Sequence, residues 1–209
     1  MEKYDIIYYR KNKEGFEGNK VMNKKKAIFL DRDGTINIDK GYLYKKEDFK
    51  FENDAIKALK RLSDLGYILI IVTNQSGIGR GYYTKKDLDI LNKYMCEILL
   101  KEKIKIEKIY YCPHHPTKGL GEFKIECNCR KPNPGMIIEG IKEFDIDKKN
   151  SYMVGDKLSD VVAGISAGVN AVLLGKENEI RLEKEIKDKI SIFENLNKFS
   201  IKLYNEEKK

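Results

Sequence analysis

The stretch Lys26-Ala27-Ile28-Phe29-Leu30-Asp31-Arg32-Asp33-Gly34-Thr35 runs as an apolar strand into two carboxylates spaced i, i+2 and then a glycine. Side chains alternate along a strand, but at its end the backbone turns, so Asp31 and Asp33 can converge on one ligand while Gly34 admits close backbone approach. One carboxylate is then placed to attack phosphorus and the other to handle the proton, the layout of a metal-dependent phosphoryl-transfer site. Asp-Gly pairs also close ordinary turns, so the reading depends on partners elsewhere in the chain.

Those partners follow in order. Ile68-Leu69-Ile70-Ile71-Val72 is a second buried-strand run, closed by Thr73-Asn74-Gln75-Ser76-Gly77. Arg130-Lys131-Pro132-Asn133-Pro134 precedes a helical pattern from Gly135 to Phe144. Ser151-Tyr152-Met153-Val154 is a third apolar strand and ends in Gly155-Asp156-Lys157-Leu158-Ser159-Asp160. With these four segments the chain resembles the haloacid dehalogenase superfamily of phosphotransferases, whose motifs are D-x-D-G-T, a strand-terminal Thr or Ser, a Lys, and G-D-x-x-x-D. The similarity narrows to the D-glycero-D-manno-heptose 1,7-bisphosphate phosphatases on Asp31 to Asn37, Gly41-Tyr42, Thr73 to Gly81, Cys112-Pro113-His114-His115-Pro116, Cys127-Asn128-Cys129-Arg130-Lys131-Pro132 and Gly155-Asp156-Lys157. It spans residues 24–200. Histidinol-phosphate phosphatase domains are similar over most of the same positions and are the nearest competitor.

The resemblance implies a role for each of these residues. Asp31 is the nucleophile that forms an aspartyl-phosphate, and Asp33 is the general acid and base. Thr73 and Lys131 hold the phosphoryl oxygens, and Lys131 also offsets the charge of Asp31. Mg²⁺ would be bound by Asp31, the backbone carbonyl of Asp33, and Asp156, since a hard cation takes oxygen ligands. Substrate contacts fall to Asp39, Lys40, Gly41, Tyr42, Asn74, Gln75, Ser76 and Lys157, with Arg130 recognising the phosphate that is not transferred. The expected reaction is removal of the C7 phosphate of a heptose 1,7-bisphosphate, in nucleotide-activated heptose biosynthesis. Asp160 is open between orienting metal waters and capping a helix. Gly77-Ile78-Gly79-Arg80-Gly81 reads mainly as a turn before the helix that starts at Thr84, with substrate contact as the alternative.

Cys112, His114, Cys127 and Cys129 form C-x-H, twelve residues, then C-x-C. Three thiolates and an imidazole at this spacing suit tetrahedral Zn²⁺ in a closed structural site. His115 reads as a loop residue and Cys96 as a small buried apolar one.

From Lys26 onward strand-like and helix-like patterns alternate, with strands at 26–31, 67–73, 107–111, 151–155 and 170–174. Helices are expected at 54–65, 84–102, 134–144 and 158–167, followed by a helix near 177–188, a strand near 190–193 and a helix near 195–204. Such alternation predicts an α/β fold, a three-layer, Rossmann-like parallel sheet, and the resemblance supplies the strand order 3-2-1-4-5. The domain is expected over residues 24–204, with residues 1–23 as a polar N-terminal extension. Neither the interval after Asp33 nor that after the third strand is long enough for a cap domain. The cysteine loop at 112–129 is therefore expected to wall the site.

The 209 residues suit one domain with a sizeable core. Lys and Arg number 41 against 33 Asp and Glu, a net charge of +8, but the lysines are interspersed with acids and form no basic block. Nucleic acid is therefore not an expected partner, and neither is a membrane, since no long apolar span or signal-peptide core is present. The expectation is a cytoplasmic monomer acting on a small sugar phosphate. The competing classes are a non-catalytic phospho-ligand sensor, which would have no use for Asp33, and a nucleic-acid 3′-end phosphatase.

Overall fold

In a computed structural model of the chain, residues 24–176 and 183–208 are described. The alternating pattern resolves into β1 (Ala27–Leu30), α1 (Ala55–Asp64), β2 (Ile68–Asn74), α2 (Ser76–Gly79), α3 (Lys85–Lys101), β3 (Ile106–Cys112), α4 (Gly135–Phe144), β4 (Tyr152–Gly155), α5 (Leu158–Ala167), β5 (Asn170–Leu174), α6 (Lys184–Lys187), β6 (Ile190–Phe193) and α7 (Leu196–Glu207). Among the described residues the strands form one parallel sheet in the order β3-β2-β1-β4-β5-β6. The expected order 3-2-1-4-5 is present, and β6 extends it beyond β5.

Strand parity builds the layers. Ile28 and Leu30 of β1, Leu69 and Ile71 of β2 and Val154 of β4 pack on one face with Leu59 and Leu62 of α1, Leu91 and Met95 of α3 and Phe199 of α7. Ala27, Phe29, Ile70, Val72 and Met153 point the other way, onto Met136 and Ile137 of α4 and Ala163 and Ala167 of α5. A central parallel strand covered on both faces must be apolar at every position, and Ala27 to Leu30 are all fully buried.

Helix ends follow local chemistry. Thr84 caps α3 with a reciprocal bond to Asp87, and Pro134 stands just before α4. Two expectations differ from the fold. Gly77 and Gly79 lie in the four-residue α2 rather than a plain turn. Of the helix expected at 177–188 only Lys184–Lys187 is described as helical; residues 177–182 lie outside the described residues, as do the extension 1–23 and its Ile6-Ile7-Tyr8-Tyr9 patch. Among the described residues no helix is long and apolar enough to cross a membrane.

Candidate active site

Because β1 lies between β2 and β4, with Leu30 opposite Ile71 on one side and Val154 on the other, the ends of the three strands open onto one edge of the sheet. Asp31 follows β1 directly, its N–H donating to the Val154 carbonyl at 2.9 Å. In doubly wound sheets this carboxyl edge is where ligands bind. A cleft of about 170 Å³ lies there, lined by Asp31, Asp33, Asp39, Gly41, Tyr42, Thr73, Asn74, Gln75, Tyr83, Lys131, Lys157, Ser159 and Asp160.

Lys131 sits on the cleft floor. Its Nζ donates to Asp31 Oδ1 at 2.8 Å and to the Val72 carbonyl at 2.6 Å, and it pairs with Asp160 Oδ1 at 2.6 Å. All three side chains are buried. Burial works against the Lys131 charge, but the two carboxylates outweigh it and raise its pKa. Burial likewise pushes the Asp31 carboxyl up, with Lys131 opposing it and Asp160 adding to it. Removing one member of a buried ion pair typically costs about 3–5 kcal/mol, because the partner charge is left uncompensated.

Asp160 is thereby resolved. Its Oδ1 is taken by Lys131, and its Oδ2 accepts the N–H of Lys157 at the start of α5. It is both helix cap and counter-charge.

Asp33 occupies a different environment from Asp31. Arg32, fully buried, donates to Asp33 Oδ2 at 2.9 Å and to Oδ1 at 3.1 Å through Nη2. Asn37 Nδ2 donates to Oδ1 and Gln75 Nε2 to Oδ2, each at 2.9 Å. The carboxylate is thus fixed in orientation, facing the cleft. Gln75 also donates to Thr73 Oγ1 at 2.9 Å and accepts from the Tyr83 hydroxyl at 2.5 Å. With its oxygen accepting from Gln75, Thr73 keeps its hydroxyl hydrogen for an anion in the cleft.

Asp156 carries the feature that bears on a metal. Its Oδ1 is buried without a hydrogen-bond partner, and ligand atoms of Asp31, Asp156 and Asp160 lie within 4.8 Å of one another. Burial, reinforced by Asp31 and Asp160, pushes the Asp156 carboxyl up to about 7. Since both oxygens of Asp160 are engaged, Asp31 and Asp156 are the carboxylates open to a cation, and an oxygen donor set of this kind suits a hard one. Gly34 leaves the room: at φ +90° a Cβ there would stand 2.3 Å from Asp156 Oδ2.

The cysteine loop gathers its four residues as well. Cys127 Sγ lies 3.5 Å from Cys112 Sγ and 3.3 Å from Cys129 Sγ, and His114 Nδ1 lies 3.6 Å and 3.4 Å from Cys112 and Cys129. Thiolates about 2.3 Å from a tetrahedral zinc would stand roughly 3.8 Å apart, so this cluster needs little expansion to hold such an ion. Hydrogen bonding, led by Cys112, draws the Cys129 thiol down to about 5. His115 points elsewhere and accepts the backbone N–H groups of Thr117 and Lys118.

The expected substrate contacts divide. Asp39, Gly41, Tyr42, Asn74, Gln75 and Lys157 line the cleft, with Lys157 Nζ and Asp39 Oδ2 paired at 2.9 Å. Asn74 exchanges both of its amide hydrogen bonds with the backbone of Lys131, at 3.0 and 3.1 Å, and so positions that lysine. Lys40 is exposed, 3.9 Å from Asp48, and Ser76 is buried in α2; neither is in the lining. Arg130 is also outside it, with Nη1 donating to the His114 carbonyl at 3.0 Å. No residue of 112–129 is in the cleft lining; the loop packs on α2, Leu120 N–H donating to the Gly79 carbonyl at 2.7 Å. Burial and then the charges of Arg130, Arg80 and Lys118 hold the His115 imidazole below its usual value.

Arg32, Tyr83 and Ser159 were not among the residues singled out from the sequence. For Arg32 a signal existed: an arginine between two site carboxylates, with strand parity turning it away from their ligand, must find a buried counter-charge.

Comparison with known proteins agrees with this architecture. A family model described as HAD-hydrolase-like matches residues 128–198. The chain is 49% identical over 152 residues to the D-glycero-beta-D-manno-heptose-1,7-bisphosphate 7-phosphatase of Pasteurella multocida, covering 73% of this chain and 82% of that protein. It is 47% identical over 161 residues to the protein of the same name from Helicobacter pylori, covering 77% and 89%. A crystal structure of D,D-heptose 1,7-bisphosphate phosphatase from B. bronchiseptica, complexed with magnesium and phosphate, superposes with a TM-score of 0.74 at 29% identity, covering 87% of this chain and 99% of that one.

Proposed function

Because the chain belongs to the family of D-glycero-β-D-manno-heptose-1,7-bisphosphate 7-phosphatases, we propose that it hydrolyses the C7 phosphate of that β-anomer and releases the heptose 1-phosphate. The observation that carries the reading is the meeting of Asp31, Asp33, Thr73 and Lys131 in one cleft, with the open carboxylate of Asp156 beside it. Asp31 Oδ2, the oxygen not bonded to Lys131, attacks phosphorus. The bond to the C7 oxygen breaks, and that oxygen takes a proton from Asp33. The aspartyl-phosphate is then opened by water, whose proton returns to Asp33 as Asp31 is regenerated. Thr73 and Lys131 hold the phosphoryl oxygens through both steps, and preorganised donors of this kind follow the charge as it develops.

Asp31, the Asp33 carbonyl and Asp156 would hold Mg²⁺, which would supply the positive charge that lets a phosphate dianion approach these carboxylates. Zn²⁺ at Cys112, His114, Cys127 and Cys129 would brace the loop that ends in Arg130 and Lys131. Arg130 is assigned to the second phosphate, with Asp39, Lys40, Gly41, Tyr42, Gln75, Ser76 and Lys157 around the sugar. The domain is taken as residues 24–204 and the enzyme as a cytoplasmic monomer.

Parallel turnover of the β and α heptose 1,7-bisphosphates and of histidinol phosphate tests the proposal. The expected result is fastest turnover of the β-anomer with phosphate lost from C7; preference for histidinol phosphate over both anomers would overturn it.

A further inference from the structure

The segment Gly77-Ile78-Gly79-Arg80-Gly81 is accounted for by packing everywhere except at Arg80. A Cβ on Gly77 would stand 2.1 Å from the Tyr83 ring, and one on Gly79 2.4 Å from the Pro113 carbonyl oxygen. Two glycines therefore let α2 wedge between the cleft residue Tyr83 and the cysteine loop. Leu120 N–H donates to the Gly79 carbonyl at 2.7 Å, so the platform is clamped from the loop side too. Arg80, which ends α2, is carried on a support that is not free to drift.

Its guanidinium carbon lies 5.3 Å from the centroid of the Tyr42 ring, and Tyr42 lines the cleft. Tyr82 meets the same ring edge-on at 4.8 Å. Tyr42 also holds a left-handed backbone, φ 52°, which a bulky side chain adopts only where its surroundings over-determine it. Arginine, tyrosine ring and strained loop thus form one rigid group at the cleft mouth. Arg80 is not itself in the lining and reaches the cleft only through Tyr42, but the cations nearer the carboxylates are engaged: Lys131 with Asp31 and Asp160, Lys157 with Asp39, Arg32 with Asp33. Arg80 differs, because its Nε is buried and has no hydrogen-bond partner. A buried donor left open beside a phosphate-handling cleft, on a planar fork suited to phosphate oxygens, calls for an anionic acceptor. Arg130 is assigned to the second phosphate above, but one arm of its fork is occupied by the His114 carbonyl.

We infer that Arg80 binds the phosphate that is not transferred, together with Arg130, and so sets the preference for a bisphosphate over a monophosphate. The inference rests on the proposed activity for the identity of that second phosphate. A group that only propped up Tyr42 would affect every substrate alike; one that binds the second anion acts only when that anion is present.

The test compares wild type with R80A, R80Q and R80K on the β-heptose 1,7-bisphosphate and on the heptose 7-phosphate, which shares the scissile group and lacks the second anion. For R80A the KM for the bisphosphate should rise roughly ten- to a hundredfold, the loss expected for a charge-assisted contact, with kcat little changed. The loss in kcat/KM on the 7-phosphate should be markedly smaller, and R80K should recover part of the difference. Equal losses on both substrates would overturn the inference. If R80A does not fold, R80Q, which keeps a polar stem without the charge, decides by the same contrast. If wild type turns over neither heptose ester, the proposed activity falls on its own. Arg80 is then judged by competition of mannose 1-phosphate against p-nitrophenyl phosphate turnover: the inference stands if R80Q weakens that competition about tenfold or more, as 1.36 kcal/mol would require, and falls otherwise.

Discussion

The cleft and the cysteine loop both gather ionisable side chains around a point, but they do so by opposite means. The loop draws its four residues from one segment, 112–129, so their convergence is local and their spacing announces it. The cleft draws Asp31, Thr73, Lys131 and Asp156 from separate segments: the parallel register of β2, β1 and β4 brings the carboxylates and Thr73 together, and Asn74 seats Lys131 among them. The loop's donors are all suited to one soft ion. In the cleft, ammonium and carboxylate largely neutralise each other, and the unsatisfied Asp156 oxygen is what remains for a cation. Losing the ion should therefore act on structure in the loop and on chemistry in the cleft.

Substituting the nucleophile gives the largest effect on the cleft side. Asp31→Asn should abolish phosphate release while the protein stays folded, and near-wild-type turnover would break the assignment. Asp33→Asn comes next, with kcat lower by roughly 10²–10⁴-fold, because an amide cannot exchange the proton that general acid–base catalysis requires. A steady-state assay resolves both.

Lys131→Ala tests whether the cleft is also structural. It strands Asp31 and Asp160 in the interior, and thermal unfolding should report a loss of about 3–5 kcal/mol. An unchanged midpoint would mean that the two carboxylates take up protons without strain.

Cys129→Ser carries the comparison to the loop. Elemental analysis should find about one thiolate-bound ion per chain in the wild type and a deficit in the variant. The wild-type ion should be released as pH falls, since protons compete for the same ligands. Activity should fall with it through Arg130 and Lys131; full activity without the ion would separate the two regions entirely. The smallest effect is expected for Arg130→Ala, roughly tenfold in kcat/KM on a bisphosphate if one charge-assisted contact is lost and less on a monophosphate. Comparable losses on both would assign Arg130 to the reacting group.

What could be read in advance divides along the same line. The apolar runs ending at Asp31, Thr73 and Gly155 were legible because a strand buried on both faces admits few polar residues. The cysteine spacing was legible because it is local. The pairing of Asp160 with Lys131 was not, because a carboxylate in the first turn of a helix already has a local role as a cap. The use of Asn74 to seat the Lys131 backbone was equally hidden, since the two lie 57 residues apart. Arg130 is expected at the second phosphate from the family resemblance, but that one arm of its guanidinium is held by the His114 carbonyl depends on the fold.

By itself, then, the sequence determined which chemistry stands at each strand end, that the sheet is parallel and covered on both faces, and that one loop gathers three thiols and an imidazole. These are properties of residue type, period and short spacing. The tertiary structure alone decided that Arg32 is buried against Asp33, that Lys131 lies between two carboxylates, that Asp156 keeps an open oxygen and that Arg80 stacks on the Tyr42 ring. Each of these depends on which charges become neighbours once water is excluded, and burial makes a buried charge's partner a matter of the whole fold.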